Sequence, residues 1–205
     1  MKAASSTKPE STALPSRRSC LAGLAAVSLV GPAFGKDHFK PLFNGKTLDG
    51  WTQVGDANWR VSDGLIWADQ GKGGFLVSAE SYRNFDLRAE FWVSPDANSG
   101  IFIRCSDRAK ISATSAYEVN IYDTRPDPSY GTGAIVDVAK VSPMPKAGGQ
   151  WNVMNIHAHG ETFSVELNGE KTVDSARDAK HADGPIALQF GIGVVKFRSV
   201  EIARL

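Results

Sequence analysis

Two cysteines are all that 205 residues contain, Cys20 and Cys105. They fall on either side of what reads as an export cleavage point, so the mature chain keeps Cys105 alone and closes no intramolecular disulfide. Such a domain depends on its core. Charge of one sign is missing as well: 23 Lys and Arg against 22 Asp and Glu leave a formal net charge of +1. No basic block stands beyond the pair Arg17-Arg18, which argues against a nucleic-acid partner. The apolar run from Leu21 to Val30 is too short to cross a bilayer. Nowhere is a 3.6-residue hydrophobic period sustained, which excludes a helical bundle.

The first 35 residues have the layout of an address. A Ser/Thr-rich opening leads to Ser16-Arg17-Arg18, then the apolar run, then small residues around Ala33-Phe34-Gly35. An arginine pair just ahead of such a run resembles a twin-arginine export signal. Residues 1–35 are therefore expected to be a signal peptide and 36–205 a single domain, periplasmic or secreted. The alternative is a tail with a chance Arg-Arg. Cys20 precedes the run instead of following it, which does not suit a lipoprotein signal. Without these residues the net charge is −2, a second argument against nucleic acid.

From Phe39 onward short apolar alternations are separated by Gly, Asn, Asp and Pro. "WRVSDGLIWA", "GGFLVSA", "FDLRAEFWV", "SGIFIRCS", "YEVNIYD", "GAIVDVA", "WNVMNIHAHG", "TFSVELNGEKTV", "PIALQF" and "VVKFRSVEIARL" each read as strands. Asn168-Gly169 and Ser62-Asp63-Gly64 are tight hairpin connections, because their central residues accept positive φ. "DTRPDPSYGTG" and "KVSPMPKAGGQ" are long loops, and "DSARDAKHADG" alone could form a helical turn. The expected fold is an all-β sandwich or barrel of antiparallel strands.

Alternation sorts side chains onto faces. Phe85, Leu87, Ala89, Phe91 and Val93 point one way; Asp86, Arg88, Glu90 and Trp92 point the other. Ile101, Ile103 and Cys105 oppose Phe102, Arg104 and Ser106, which makes Cys105 a packed small hydrophobe. In "SAYEVNIYD", Val119 and Ile121 face a core while Glu118, Asn120 and Tyr122 share the opposite face. Gln189 falls on a non-core face too, and "KFR" brings Lys196 and Arg198 together. Aromatic rings among amides and charges suit a sugar, whose C–H faces stack while its hydroxyls need planar partners. Cross-strand pairing on an ordinary wet surface gives the same pattern. His157 and His159 share a face, the start of a metal site, but no third ligand is signposted. No cofactor motif stands out, although a divalent metal held by Glu118, Asp123 or loop carbonyls stays open.

"PLFNGKTLDGW", "YRNFDLRAEFWV", "NSGIFIR", "YEVNIYD", "TGAI", "LNG" and "LQF…VKFRSVEI" follow one another in the order of a known family. From about Phe39 to Leu205 the chain resembles the 3-keto-disaccharide hydrolase domain. The resemblance implies a concanavalin-A-like jelly-roll sandwich of two antiparallel sheets. It also implies cleavage of glycosides whose C3 hydroxyl is a ketone, by elimination and hydration or by hydrolysis, and hence an upstream sugar 3-dehydrogenase. A carbohydrate-binding domain without turnover is the alternative. Carried onto this chain, the motifs make Glu118 the base or a hydroxyl acceptor, Arg104 the partner of an oxyanion and Asp123 an acid. Asp123 has the wrong parity unless the strand bulges, and Glu118 and Arg104 could simply pair across strands. Asn98, Phe102, Asn120, Tyr122, Gln189, Trp92 and Arg198 complete the expected sugar site. Many relatives carry a histidine soon after "LQ"; here Phe190, Gly191, Ile192 and Gly193 occupy that stretch.

Overall fold

Period-two alternation becomes thirteen strands in residues 38–205, the part of the chain that the computed structural model describes. The expected signal peptide, residues 1–35, lies outside the described residues. One antiparallel sheet holds β3 (Arg60–Ser62), β4 (Leu65–Ala68), β6 (Phe85–Val93), β9 (Trp151–His159), β10 (Thr162–Leu167), β11 (Glu170–Arg177) and β13 (Val195–Arg204). Its order is β11-β10-β9-β6-β13-β4-β3, and the short β1 (Lys40–Pro41) pairs with the far half of β13. The other holds β2 (Trp51–Gly55), β5 (Gly74–Ser78), β12 (Ala187–Ile192), β7 (Asn98–Ile103) and β8 (Tyr117–Ile121), ordered β2-β5-β12-β7-β8. Among the described residues no helix is long and apolar enough to cross a membrane.

The inner faces of both sheets close one core. Phe85, Leu87, Ala89, Phe91 and Val93 of β6 meet Ile101, Ile103, Val119, Ile121 and Leu188 of the smaller sheet in a single apolar cluster. Two hairpins form at the expected residues: Asp63 and Gly64 have φ of 54° and 75°, and Asn168 and Gly169 have 54° and 86°.

Two segments differ from expectation. "GAIVDVA" is not a strand, because Asp137 turns the chain at φ 59° and the amides of Val138 and Ala139 both donate to Ile135 O. Only isolated bridges tie Ile135 to Val119 and Ala139. "DSARDAKHADG" forms no helical turn; its first four residues continue β11. The loop beyond is held by the Tyr117 hydroxyl, which donates to Asp178 at 2.8 Å and accepts from His181 N at 3.0 Å.

Arg104 departs from the expected alternation. It follows β7 with φ 53°, a left-handed backbone in which the two-residue repeat breaks. Cys105 consequently joins Phe102 in a cluster outside the main core, and burial pushes its thiol up to about 12. The Arg104 side chain turns inward and is 1% exposed. Its guanidinium donates to Arg83 O, to Gly160 O at 2.7 Å and to His181 O at 3.3 Å, and lies 4.9 Å from the Phe163 ring. Burial lowers its pKa from the ordinary value. Arg104 thus ties the end of β7 to the β9–β10 turn in the opposite sheet and to the loop before β12. Arg104→Met strands three carbonyls and is expected to cost on the order of 3 kcal/mol, read as a lower urea midpoint. An unchanged midpoint with lost activity would instead return Arg104 to the chemistry.

Candidate functional site

The outer face of the five-stranded sheet can be read off its register. Glu118 pairs with Phe102 and Phe102 with Ala187, which pairs with Val77. One row along, Asn120 pairs with Gly100, Gly100 with Gln189 and Gln189 with Phe75. Side chains that share a face repeat every two residues, so these two rows stand side by side. Glu118, Asn120 and Gln189, predicted together, do come together here.

Gly100 opens the space among them. A Cβ there would lie 3.2 Å from Val119 O, 3.4 Å from Gln189 Oε1 and 3.5 Å from Glu118 Cγ. The glycine leaves about a methyl group's room between the Glu118 carboxyl and the Gln189 amide, above backbone. Four buried side-chain atoms among the described residues lack a hydrogen-bond partner, and Asn120 Oδ1 and Gln189 Oε1 are two of them. The Asn120 amide is oriented by its Nδ2, which donates to Tyr130 O at 2.7 Å and leaves the buried oxygen without a donor. Buried acceptors without donors are rare in folded proteins and mark a place where a donor is expected to arrive.

Every residue of β8 is buried, and Glu118 is 9% exposed. Removal from water pushes its carboxyl up to about 7; Arg125 pulls it down and Asp137 pushes it further up. Arg125, in "DTRPDPSYGTG", is the cation whose field reaches Glu118, whereas Arg104, expected to partner an oxyanion, is tied to carbonyls. Sequence reading missed it because a loop offers no period from which to sort a side chain. Phe75 was missed too. It is the partly buried ring beside Gln189, and it meets the buried Phe102 edge-on at 5.1 Å, so Phe102 itself is floor.

Asp123 is engaged elsewhere. Its carboxylate accepts from Ala147 N, from Gly148 N at 2.8 Å and from Thr132 Oγ1 at 2.6 Å, fastening two loops together. Tyr122, half-buried just past β8, donates its amide to the same Thr132 hydroxyl at 2.9 Å. Asn98 shares the face of Gly100 at the start of β7 and packs on Gly191. A Cβ at Gly191 would meet Asn98 O at 2.9 Å and Asn98 Cγ at 3.2 Å.

Trp92 and Arg198 stand on the outer face of the other sheet, across the core from Glu118. Lys196 lies 3.8 Å from the Trp67 ring centroid and 4.6 Å from that of Trp92. Arg198 bonds Glu90 at 2.8 Å and covers Trp151 at 4.4 Å. Alternation had identified their face correctly but not their sheet. His157 of the expected histidine pair bonds Asp86 on this surface. Among the described residues no three His, Cys, Asp or Glu side chains converge.

The comparisons with known proteins bear on the fold and the family. A 3-keto-disaccharide hydrolase of Bacteroides thetaiotaomicron is 28% identical over 170 residues, covering 67% of this chain and 58% of that protein. The chain therefore spans less than two thirds of that relative's length. Two solved structures of candidate glycosyl hydrolases from Parabacteroides distasonis superpose with TM-scores of 0.71 and 0.66, at 19% and 25% identity. Each covers 82% of this chain, and 94% and 99% of those chains respectively. The fold is the expected jelly-roll sandwich of two antiparallel sheets. A family model described as the 3-keto-alpha-glucoside-1,2-lyase-like domain matches residues 38–203, and the chain belongs to that family.

Proposed function

We propose that this domain cleaves glycosides whose C3 hydroxyl has been oxidised to a ketone, with Glu118 moving the proton. One observation carries the reading: a carboxyl raised by burial to about 7 beside two buried amide oxygens without partners. Family membership supports a carbohydrate-active domain of the hydrolase type.

A C3 carbonyl acidifies the neighbouring C2–H. Glu118 takes that proton, and the freed electron pair forms an enolate with its charge on the C3 oxygen. The pair then closes the C1=C2 bond as the C1–O bond breaks, its electrons leaving on the oxygen. Protonated Glu118 returns the proton to that oxygen. Water adds across C1=C2, hydroxyl to C1 and proton to C2, completing a net hydrolysis. Release before hydration makes the same site a lyase. A carboxyl poised near neutral pH can both take and return a proton. Asn120 and Gln189 accept from sugar hydroxyls, and Arg125 supplies positive field for the enolate. A dehydrogenase acting on the C3 hydroxyl supplies the substrate in this reading, and export through residues 1–35 would place the reaction outside the cytoplasm. A second reading, sugar binding without turnover, is favoured by Gly191, which offers no proton carrier in the stretch where relatives place a histidine.

A 3-keto-glucoside with a chromogenic leaving group separates these readings. Turnover is expected, lowered about a hundredfold or more in Glu118→Gln; saturable binding with no turnover in the native protein would leave the binding reading. Because the base form is needed, kcat/KM should rise with pH through about 7. Arg125→Met removes the one influence that lowers this pKa, so the same rise should move to higher pH.

Stability should respond to Glu118 as well. The folded carboxyl titrates near 7 against an ordinary 4.5, so the folded state holds the proton more tightly. Its contribution is complete below pH 4.5 and is lost as pH rises through 7, a difference of about 3 kcal/mol. Glu118→Gln should therefore gain about 3 kcal/mol on the native protein between acid and mildly alkaline urea titrations. Parallel curves would mean that the carboxyl is not desolvated.

A further inference from the structure

Three acids lie between β8 and β9, and two of them are engaged. Asp123 is held by Thr132 and by the amides of Ala147 and Gly148, and Asp127 by Ser129. Asp137 is the third. It is exposed, and among the described residues its carboxylate enters no hydrogen bond or ion pair.

The chain carries Asp137 to the edge of the candidate site. Segment 133–136 runs along the outer side of β8, where Asn120 N donates to Ala134 O and Val136 N to Glu118 O, both at 3.0 Å. Ile135 bridges Val119 between them. Val136 therefore stands beside Glu118, one strand spacing of about 4.8 Å away, and Asp137 is the next residue. A left-handed backbone at φ 59° then turns the chain, and the amides of Val138 and Ala139 close the turn on Ile135 O. The negative charge of Asp137 reaches Glu118 and pushes it toward the protonated form.

The two sides of Glu118 differ in their access to water. Toward β12 its neighbours are Phe102 and Ala187, 1% and 0% exposed, packed with Cys105, Ala116 and Ile111 under the chain's own loop. That side offers neither a carboxylate nor an imidazole. On the other side is the edge of the sheet, where Asp137 stands in solvent. Water that reaches a sugar bound at Glu118 comes from that edge.

We propose that Asp137 is a second catalytic carboxylate, which adds water across the C1=C2 bond that Glu118 creates. The inference rests on the reading of Glu118 as the group that takes the C2 proton. As a water oxygen bonds to C1, Asp137 takes one of its protons, and the C1=C2 electron pair moves into an enolate with its charge on the C3 oxygen. The enolate pair then bonds, at C2, the proton that Asp137 gives up. Hydroxyl on C1 and hydrogen on C2 sum to one water, and both carboxylates end as they began. One acid serves elimination and the other hydration; without the second, the site is a lyase.

The test uses the full chain and two substrates: the chromogenic 3-keto-glucoside and the purified C1=C2 enone that elimination yields. Leaving-group release is read from the chromophore, and hydration from loss of the enone's ultraviolet absorbance above the spontaneous rate. Asparagine also accepts a left-handed backbone, so Asp137→Asn should keep the turn. In this variant hydration should fall about a hundredfold or more and release by less than about tenfold, so that the enone accumulates. Asp137→Gly, which suits φ 59° better still, should behave alike. Glu118→Gln should do the reverse, lowering release more than hydration. Undiminished hydration in both Asp137 variants, equal losses of release and hydration, or a native protein that leaves the supplied enone unhydrated overturns the proposal. If the native protein hydrates the enone but releases nothing from the glucoside, the Glu118 reading fails by itself, and loss of hydration in Asp137→Asn still upholds Asp137.

Discussion

An ionised carboxylate on a strand with no exposed residue needs donors, and the pairing of β8 leaves it few. On one side β8 pairs with β7; on the other, Glu118 O accepts from Val136 N and Asn120 N donates to Ala134 O. Both edges of the strand are thus committed to main-chain bonds, and no amide is free to turn toward the Glu118 carboxyl. Asp123, a few residues on and past the end of the strand, meets the opposite circumstance. There the chain leaves the sheet, and the amides of Ala147 and Gly148 with the Thr132 hydroxyl converge on its oxygens. Two acids in one motif acquire opposite roles because one lies inside the ladder and the other outside it. The raised pKa of Glu118 follows first from its removal from water.

The same ladder explains what could be read from the sequence. Parity fixed the faces of β6 and β8 correctly, because both strands are regular and one face of each closes the core. It failed at Arg104, where one residue at φ 53° reverses the side on which the following residues emerge. Glycine or asparagine would have advertised such a backbone, whereas arginine does not. Arg104 still carries a buried charge, and it answers to carbonyls from three separate segments. Parity also has no power to say which sheet a strand joins. Trp92 and Glu118 are both non-core residues, yet the whole sandwich lies between them. Only the pairing of β6 with β9 and β13, a long-range fact, separates them.

The aromatic surplus that pointed to sugar therefore has two unrelated causes. On the larger sheet, tryptophans and cations alternate across neighbouring strands, with Lys196 between Trp67 and Trp92 and Arg198 over Trp151. Contacts of this kind are worth about 0.5–1 kcal/mol each at exposed sites and fasten strands whose side chains would otherwise move freely. That is the cross-strand pairing which composition alone could not distinguish from a ligand surface. On the smaller sheet the aromatics are fewer and differently placed. Phe102 is floor, Phe75 is rim, and the Asn120 and Gln189 side-chain oxygens beside them have no partners. Partner accounting distinguishes the two only in kind: the unpartnered atoms are amide acceptors on the smaller sheet, whereas on the larger one Trp67 Nε1 is an unpartnered donor.

Glycine has a part in this division that no side chain could supply. Gly100 lies at the centre of the row that runs from Asn120 to Gln189, and a Cβ there would press on Val119 O at 3.2 Å and touch Gln189 Oε1 and Glu118 Cγ. A strand interior gains nothing in stability from glycine, which costs about 0.5–1 kcal/mol relative to alanine. The inner face of β7, with Ile101 and Ile103 fully buried, meets that cost on the core side. One strand thus secures the sandwich with its odd residues and leaves room between Glu118 and Gln189 with an even one. The outer face can then be polar toward β8 and apolar toward β5 without disturbing the packing beneath, because the pleat sends the two sets of side chains to opposite sides.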